Sequence, residues 1–241
     1  MTEPADLAAI LERAAVLPPG PGDRFTGYAI LGVPFRSGDV LALRRFPVAS
    51  TGPGYTSVWH RDPQGAWTFY SDAGCDQDGR DHGCGRYFGR AVREFIGTPI
   101  RIEWTGPRNM TIAAQGGRLL SWRLALAPTA STTLLNAIAA HVPRRWLTDE
   151  RALRALGLAA GFALGAGRLS LAGETPAGHR FMASPEVVWT VSASRAAVEG
   201  RDLGPIGPID PQPALGDFYI PRRGLFAVCS AVMMMSAREP D

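Results

Sequence analysis

The run Cys75-Asp76-Gln77-Asp78-Gly79-Arg80-Asp81-His82-Gly83-Cys84 gathers two thiols, one imidazole and three carboxylates. Thiolate with imidazole is zinc chemistry, but this cysteine spacing is not one of the tight zinc patterns. The carboxylates at 76, 78 and 81 follow a calcium loop only in part, because no bidentate Glu closes the series. A solvated polar loop is the expectation, with a redox-labile thiol pair and a metal site as alternatives. No metal is assigned.

His60 is the second candidate. Imidazole titrates near neutral pH and suits acid–base work, and Trp59, Arg61 and Tyr70 accompany it on one expected hairpin. Plain stacking of His60 on Trp67 is the competing reading. Arg101, Glu103 and Arg123 occupy the polar faces of alternating strands, either as an outside ion pair or as the polar floor of a cavity. Asp217 and Tyr219 precede Pro221-Arg222-Arg223-Gly224, where they line a cavity mouth or lead into a strand. His141 and His179 read as structural or solvated. The working set is His60, Tyr70 and Glu103 as catalytic groups, with Trp59, Arg101, Trp104, Arg123 and Tyr219 as ligand-binding groups.

Other chemistry is excluded by residue type. All 25 basic residues are Arg, so Schiff-base catalysis, lysine-anchored pyridoxal phosphate and a P-loop lysine are unavailable. The sequence holds no GxSxG, no GxGxxG with a following acid, no HExxH and no Walker A motif. No cofactor is called for. The net charge of +3 is small and the arginines are dispersed, whereas nucleic acid requires a denser basic stripe. The N-terminal stretch is amphipathic and acidic near its start, unlike a secretory signal. The three cysteines form no even-numbered disulfide framework. A cytoplasmic location is expected. Leu156–Leu171 is too short and Gly-rich to span a bilayer and reads as a buried helix followed by a strand.

These groups need elements to hold them. Gly (28) and Pro (20) make up roughly a fifth of the 241 residues, against about 12% on average, which favours short strands and many turns. A helix is predicted over 4–17, with Pro4 in its first turn and Leu7, Ile10, Leu11 and Ala14 at helical spacing. Strands follow at about 26–34, 39–46, 54–61, 66–72, 99–105, 109–115 and 118–127, then at 167–173, 178–183, 186–193 and 224–235. Asp62-Pro63-Gln64-Gly65 has the residues of a type I turn. Closed symmetrically, it sets His60 opposite Trp67, Val58 opposite Phe69 and Ser57 opposite Tyr70. Residues 131–165 interrupt the strands with two helices, the second capped by Thr148 and carrying Gly157, Gly161 and Gly165 as a small-residue ridge. The ridge suits tight packing on the sheet or room for a ligand. Residues 204–213 form a Pro-stiffened loop.

The strands Ile100-Arg101-Ile102-Glu103-Trp104-Thr105-Gly106-Pro107 and Leu119-Leu120-Ser121-Trp122-Arg123-Leu124 resemble those of the lipocalin-like proteins grouped with carotenoid hydratases (hydroxyneurosporene synthase) and the AttH proteins. That resemblance covers about a third of the chain and implies a β-barrel handling apolar, often terpenoid, molecules. It carries over no catalytic residue. In size and β content the chain also resembles the acetoacetate-decarboxylase-like fold, whose Schiff-base chemistry the absence of Lys rules out. The expectation is a single mainly β domain over 1–241, an antiparallel barrel or barrel-like sheet with an N-terminal helix and a two-helix insertion at 131–165. It would bind an apolar or aromatic small molecule in a β-barrel cavity, with acid–base hydratase, cyclase or isomerase action open. The alternative is a non-catalytic interaction or oligomerisation domain.

Overall fold

The computed structural model describes residues 2–73 and 85–235, apart from the side chain of Arg144. The Cys75–Cys84 cluster lies outside the described residues. Helix α1 (Pro4–Ala14) leads into β1 (Asp23–Pro34), β2 (Val40–Ala49), β3 (Gly52–Arg61) and β4 (Trp67–Ser71). A short helix α2 (Gly85–Phe88) precedes β5 (Glu94–Gly97), β6 (Ile100–Gly106), β7 (Asn109–Ala114) and β8 (Leu120–Ala127). Helices α3 (Ala130–Ala139) and α4 (Glu150–Ala163) make the expected insertion. Then come β9 (Ala172–Glu174), β10 (His179–Val198), β11 (Arg201–Asp202), β12 (Ala214–Leu215), β13 (Phe218–Tyr219) and β14 (Leu225–Met235).

The main sheet runs β5-β4-β3-β2-β1-β14-β10-β8-β7-β6, with β9 and β11 attached to β10. Its two edge strands, β5 and β6, are joined by only Thr98 and Pro99. The sheet must therefore curl until its edges meet, giving a mainly β, barrel-like form with an unpaired seam. The pairings among these strands are antiparallel except β4 with β5, which is parallel. That departs from the antiparallel expectation: β5 is four residues long and too short to show periodicity.

The 54–72 hairpin forms, but one residue out of the expected register. Arg61 faces Trp67, His60 faces Thr68, Trp59 faces Phe69 and Val58 faces Tyr70. The cause is the turn. Asp62 N donates to Ala66 O at 2.9 Å and Gly65 takes φ +95°, so Pro63-Gln64-Gly65 is a three-residue loop with a left-handed glycine. A one-residue shift exchanges the faces across the pair. The segments 178–183 and 186–193 are one 20-residue strand, β10, whose register shifts at Pro185 and Val187 instead of breaking. Pro can occupy such a bulge because no ladder donor is needed there.

Every strand of the main path sends apolar side chains inward. Trp122, Trp189, Phe35, Phe226, Ile30 and Leu41 are among the largest fully buried ones, and the inner core also holds Tyr28, Val58, Tyr70, Met110 and Val198. Away from the seam, the inside of the curl is thus packed with buried side chains, so the expected ligand cavity does not occupy the barrel's centre. The outer face divides in two. Along β6, β7 and β8 it carries Arg101, Glu103 and Arg123 to solvent. Along β4, β3, β2, β1 and β14 it is covered by Tyr87, Phe88, Val92, Leu215 and Ile220. Farther along β1, β10 and β14 the insertion covers it.

The insertion is held by local chemistry. Thr129 and Thr132 form a capping box on α3, and the Asp149 carboxylate, not Thr148, caps α4 by accepting from Ala152 N at 2.8 Å. Leu153, Gly157 and Gly161 form the buried face of α4. A Cβ at Gly157 would lie 2.6 Å from the Leu169 carbonyl oxygen, and one at Gly161 2.1 Å from that of Gly167. The glycine ridge therefore presses on the extended 167–171 segment, which lies between α4 and the sheet. The 204–213 loop packs on the chain itself: Phe35 bridges Ile206, and Arg36 N donates to Pro205 O at 2.9 Å. Among the described residues, no helix is long and apolar enough to cross a membrane.

Candidate functional site

Successive residues of a strand point to opposite faces, so the Arg44-Arg45 doublet on β2 is split. Arg44 projects outward beneath the aromatic cover. There the central strands present small side chains, Ala29 from β1, Cys229 and Ala231 from β14 and Ala183 from β10, and the covering residues are large rings. Small floor and rigid roof do not close on each other, and an apolar cavity of about 110 Å³ remains.

Trp59 is the centre of its wall. Its ring stacks on Phe69 with centroids 4.5 Å apart and planes 6° apart, and meets Phe88 at 4.7 Å and Phe218 at 6.1 Å. Its indole N–H donates to Ser57 Oγ at 3.1 Å, so the ring is oriented from below. The Arg44 guanidinium lies 4.5 Å from the Trp59 ring centroid and donates to the carbonyls of Ile30 and Leu43 at 2.7 and 2.9 Å. At the other rim, Arg168 donates to the Tyr219 hydroxyl at 3.0 Å and lies 4.3 Å over its ring. Burial pushes the Cys229 thiol up to about 11. It is a neutral wall atom and not a nucleophile.

Arg45 projects inward, toward the seam. Glu12 of α1 accepts from its Nε and Nη2 at 2.9 and 2.6 Å and from the Tyr28 hydroxyl at 3.1 Å. Burial works to raise the Glu12 carboxyl, but the bond and charge of Arg45 outweigh it and hold it below its ordinary range. Burial, with Glu12 alongside, pushes the Tyr28 phenol well above its usual value. These groups line an open cleft of about 560 Å³ with Trp104, Ile102, Thr56 and Asp72. Asp72 is engaged as well, accepting from Thr56 N at 2.6 Å.

His60 is committed elsewhere. Its Nε2 lies 2.8 Å from Oδ1 of Asp39, a fully buried carboxylate that also takes two bonds from Arg201, at 2.9 and 2.7 Å. Burial alone would raise Asp39, yet the bonds from Arg201, His60 and Ser37 and the guanidinium charge prevail and pull it down to about 2. Arg201 sits on β11 and His60 on β3, so this pin ties distant parts of the sheet across the β1–β2 turn.

The sequence-derived set is therefore distributed. Trp59 and Tyr219 line the aromatic cavity and Trp104 lines the seam cleft. His60 and Tyr70 share the inner face, where burial first, then Glu199 and Glu94, pushes the Tyr70 phenol up to about 12. Glu103 is on the solvent side of β6, 3.5 Å from Arg101, and Arg123 faces solvent between Thr111 and Arg195. Glu103 thus lies on the opposite side of the sheet from His60 and Tyr70. Arg44, Cys229, Asp39 and Arg201 were not singled out from sequence. The alternation Ala227, Cys229, Ala231 on one face of a core strand is a readable sign of a low floor, whereas Asp39 and Arg201 are 162 residues apart. Among the described residues, no group of three or more His, Cys, Asp or Glu could hold a metal.

No family model matches this chain, and no curated protein does. Among solved structures it is similar to an acetoacetate decarboxylase from Legionella pneumophila subsp. pneumophila str. Philadelphia 1, with 10% identity and a TM-score of 0.40 over 91% of this chain and 87% of that one. A second acetoacetate decarboxylase structure is similar at 9% identity and a TM-score of 0.38, covering 90% of this chain and 88% of that one. Nothing about residues or chemistry is transferred from either.

Proposed function

We propose that this protein binds a small apolar or aromatic molecule in the cavity between the small-residue floor of β1, β10 and β14 and the aromatic cover, with Trp59 and Tyr219 as contact residues. The observation that carries the reading is the cavity itself, about 110 Å³ walled by rings. At about 24 cal/mol per Å³, such a void costs on the order of 2.5 kcal/mol when empty, and a bound molecule restores that packing. Apolar cavities of roughly 150 Å³ admit benzene. The strand resemblance to the carotenoid-hydratase group points to the same class of ligand. Among the described residues the lining includes no carboxylate or imidazole, so the reading is one of binding and assigns no acid–base step to this cavity.

Titration with phenol, followed by tryptophan emission and by thermal shift, tests it. Saturable binding is expected, reduced at least tenfold by Ala231→Leu, which raises the floor. Absence of saturable binding by small rings at millimolar concentration, or an unchanged affinity in a folded Ala231→Leu protein, would overturn it.

A second reading, an oligomerisation domain, is favoured by one surface. Phe162 is 91% exposed, Leu134 62% and Leu158 60%, all on the insertion and not on the 204–213 loop. A second copy of the chain would cover them. Light scattering at increasing concentration tests this, with a dimer expected for the native chain and a monomer for Phe162→Asp.

A further inference from the structure

The aromatic cavity has an aliphatic neighbour. Between α3, α4 and the sheet lies a second cavity, also about 110 Å³, lined by Leu135 and Ile138 of α3, Leu156 and Ala160 of α4, Val188 of β10 and Leu225 of β14. Leu31, Leu169 and Leu171 line both cavities. Leu31 stands on β1, and the other two belong to the extended segment that Gly157 and Gly161 hold close to α4. The wall between the compartments is thus one strand of backbone and three aliphatic side chains. Such side chains occupy several staggered rotamers, and their rotation opens a passage beside the backbone while its bond from Ala183 N to Leu171 O, at 2.7 Å, stays in place.

The two compartments differ in chemistry. The first is ringed by aromatic side chains, while no aromatic residue lines the second. Asn136, the amide at its edge, is occupied by the sheet: it donates to Val188 O at 3.0 Å and accepts from Val188 N at 2.9 Å. We infer that the two cavities are halves of one elongated site, and that its ligand is a ring bearing an unbranched alkyl chain. The ring lies against Trp59 and the chain passes Leu31, Leu169 and Leu171 into the groove between α3 and α4. This rests on the binding proposed above and adds the ligand's shape and the direction in which it lies.

A series of 4-alkylphenols, from phenol to 4-octylphenol, separates the two claims. Burial of each added methylene strengthens binding by about fourfold, so affinity is expected to climb along the series on the native protein. Ala160→Phe, which fills the groove, should leave phenol binding unchanged and bring 4-octylphenol down to the level of the short homologues. Ile138→Trp, at a half-exposed position on the other flank, repeats the test if Ala160→Phe fails to fold. Phenol binding with no gain from the chain, or a gain that survives both substitutions, overturns the elongated site and leaves the ring cavity standing. No binding by any member overturns both.

Discussion

Arg44 and Arg45 are neighbours on one strand, yet the cavities they enter differ in nearly every respect. The seam cleft at Arg45 is about five times larger, at about 560 against 110 Å³. Most of its charged groups are already engaged: Glu12 holds Arg45 and Tyr28, and Asp72 holds a backbone amide, while Arg13 is exposed to solvent. The cavity at Arg44 is smaller, but its rings and floor leave unfilled space between them. Volume is therefore a poor guide to binding here. What matters is whether the lining groups have satisfied one another, and on the inner face they have. The contrast assigns stability to the inner polar clusters and recognition to the outer cavity, and each assignment can be broken separately.

The largest effect is expected at the inner pin. Asp39→Ala leaves His60 and the half-exposed Arg201 without their shared buried carboxylate, and loss of the buried member of such a pair costs about 3 kcal/mol, the low end for buried ion pairs. For a chain of this size that lowers Tm by roughly 6–12 °C, measurable by calorimetry, with phenol affinity unchanged below the transition. A joint loss of stability and binding would dissolve the contrast. Acid should act on the same pin. Asp39 is lowered from its unfolded value near 4 to about 2, so its contribution is complete above pH 4 and disappears as pH falls through 2. Urea unfolding should show a loss of about 2 kcal/mol over that window, while phenol binding to the protein that remains folded stays constant. Smaller in energy, and opposite in kind, is Ala231→Leu. It should weaken phenol at least tenfold, about 1.4 kcal/mol, without lowering Tm. Smallest is Arg45→Met. Its pair with Glu12 is partly exposed, so stability should fall by about 1 kcal/mol or less, with ring binding intact.

Much of the scaffold could be read from the chain. Pro4 and the alternation in 100–105 and 119–126 marked their elements with local signals, whereas the cap of α4 falls one residue later than read, at Asp149 and not Thr148. The 54–72 hairpin shows where local reading stops. Its turn residues were recognisable, but the extra left-handed residue at Gly65 set Trp59 on the face of Phe69 and His60 on the face of Tyr70. That single shift gathered Trp59, Trp67 and Phe69 on the outer face and left His60 and Tyr70 together on the inner one. Trp59 and Tyr219, rings flanked by polar residues in sequence, line one cavity in the observed register. The carboxylate partner of His60 was beyond reach, since Asp39 meets it only after β2 folds back on β3 and Arg201 arrives from the far side of the curl.

The 20-residue β10 joins all of these regions. At about 3.3 Å per residue it extends roughly 65 Å. Ala183 lies under the rings, Val188 under the helices, and Val198 pairs with Arg201 at the pin. A ribbon anchored at three such points has no freedom to slip by one residue at any of them. It acts as a rule laid through the molecule, and fixes the spacing between the ring-walled space and the place where the frame is locked.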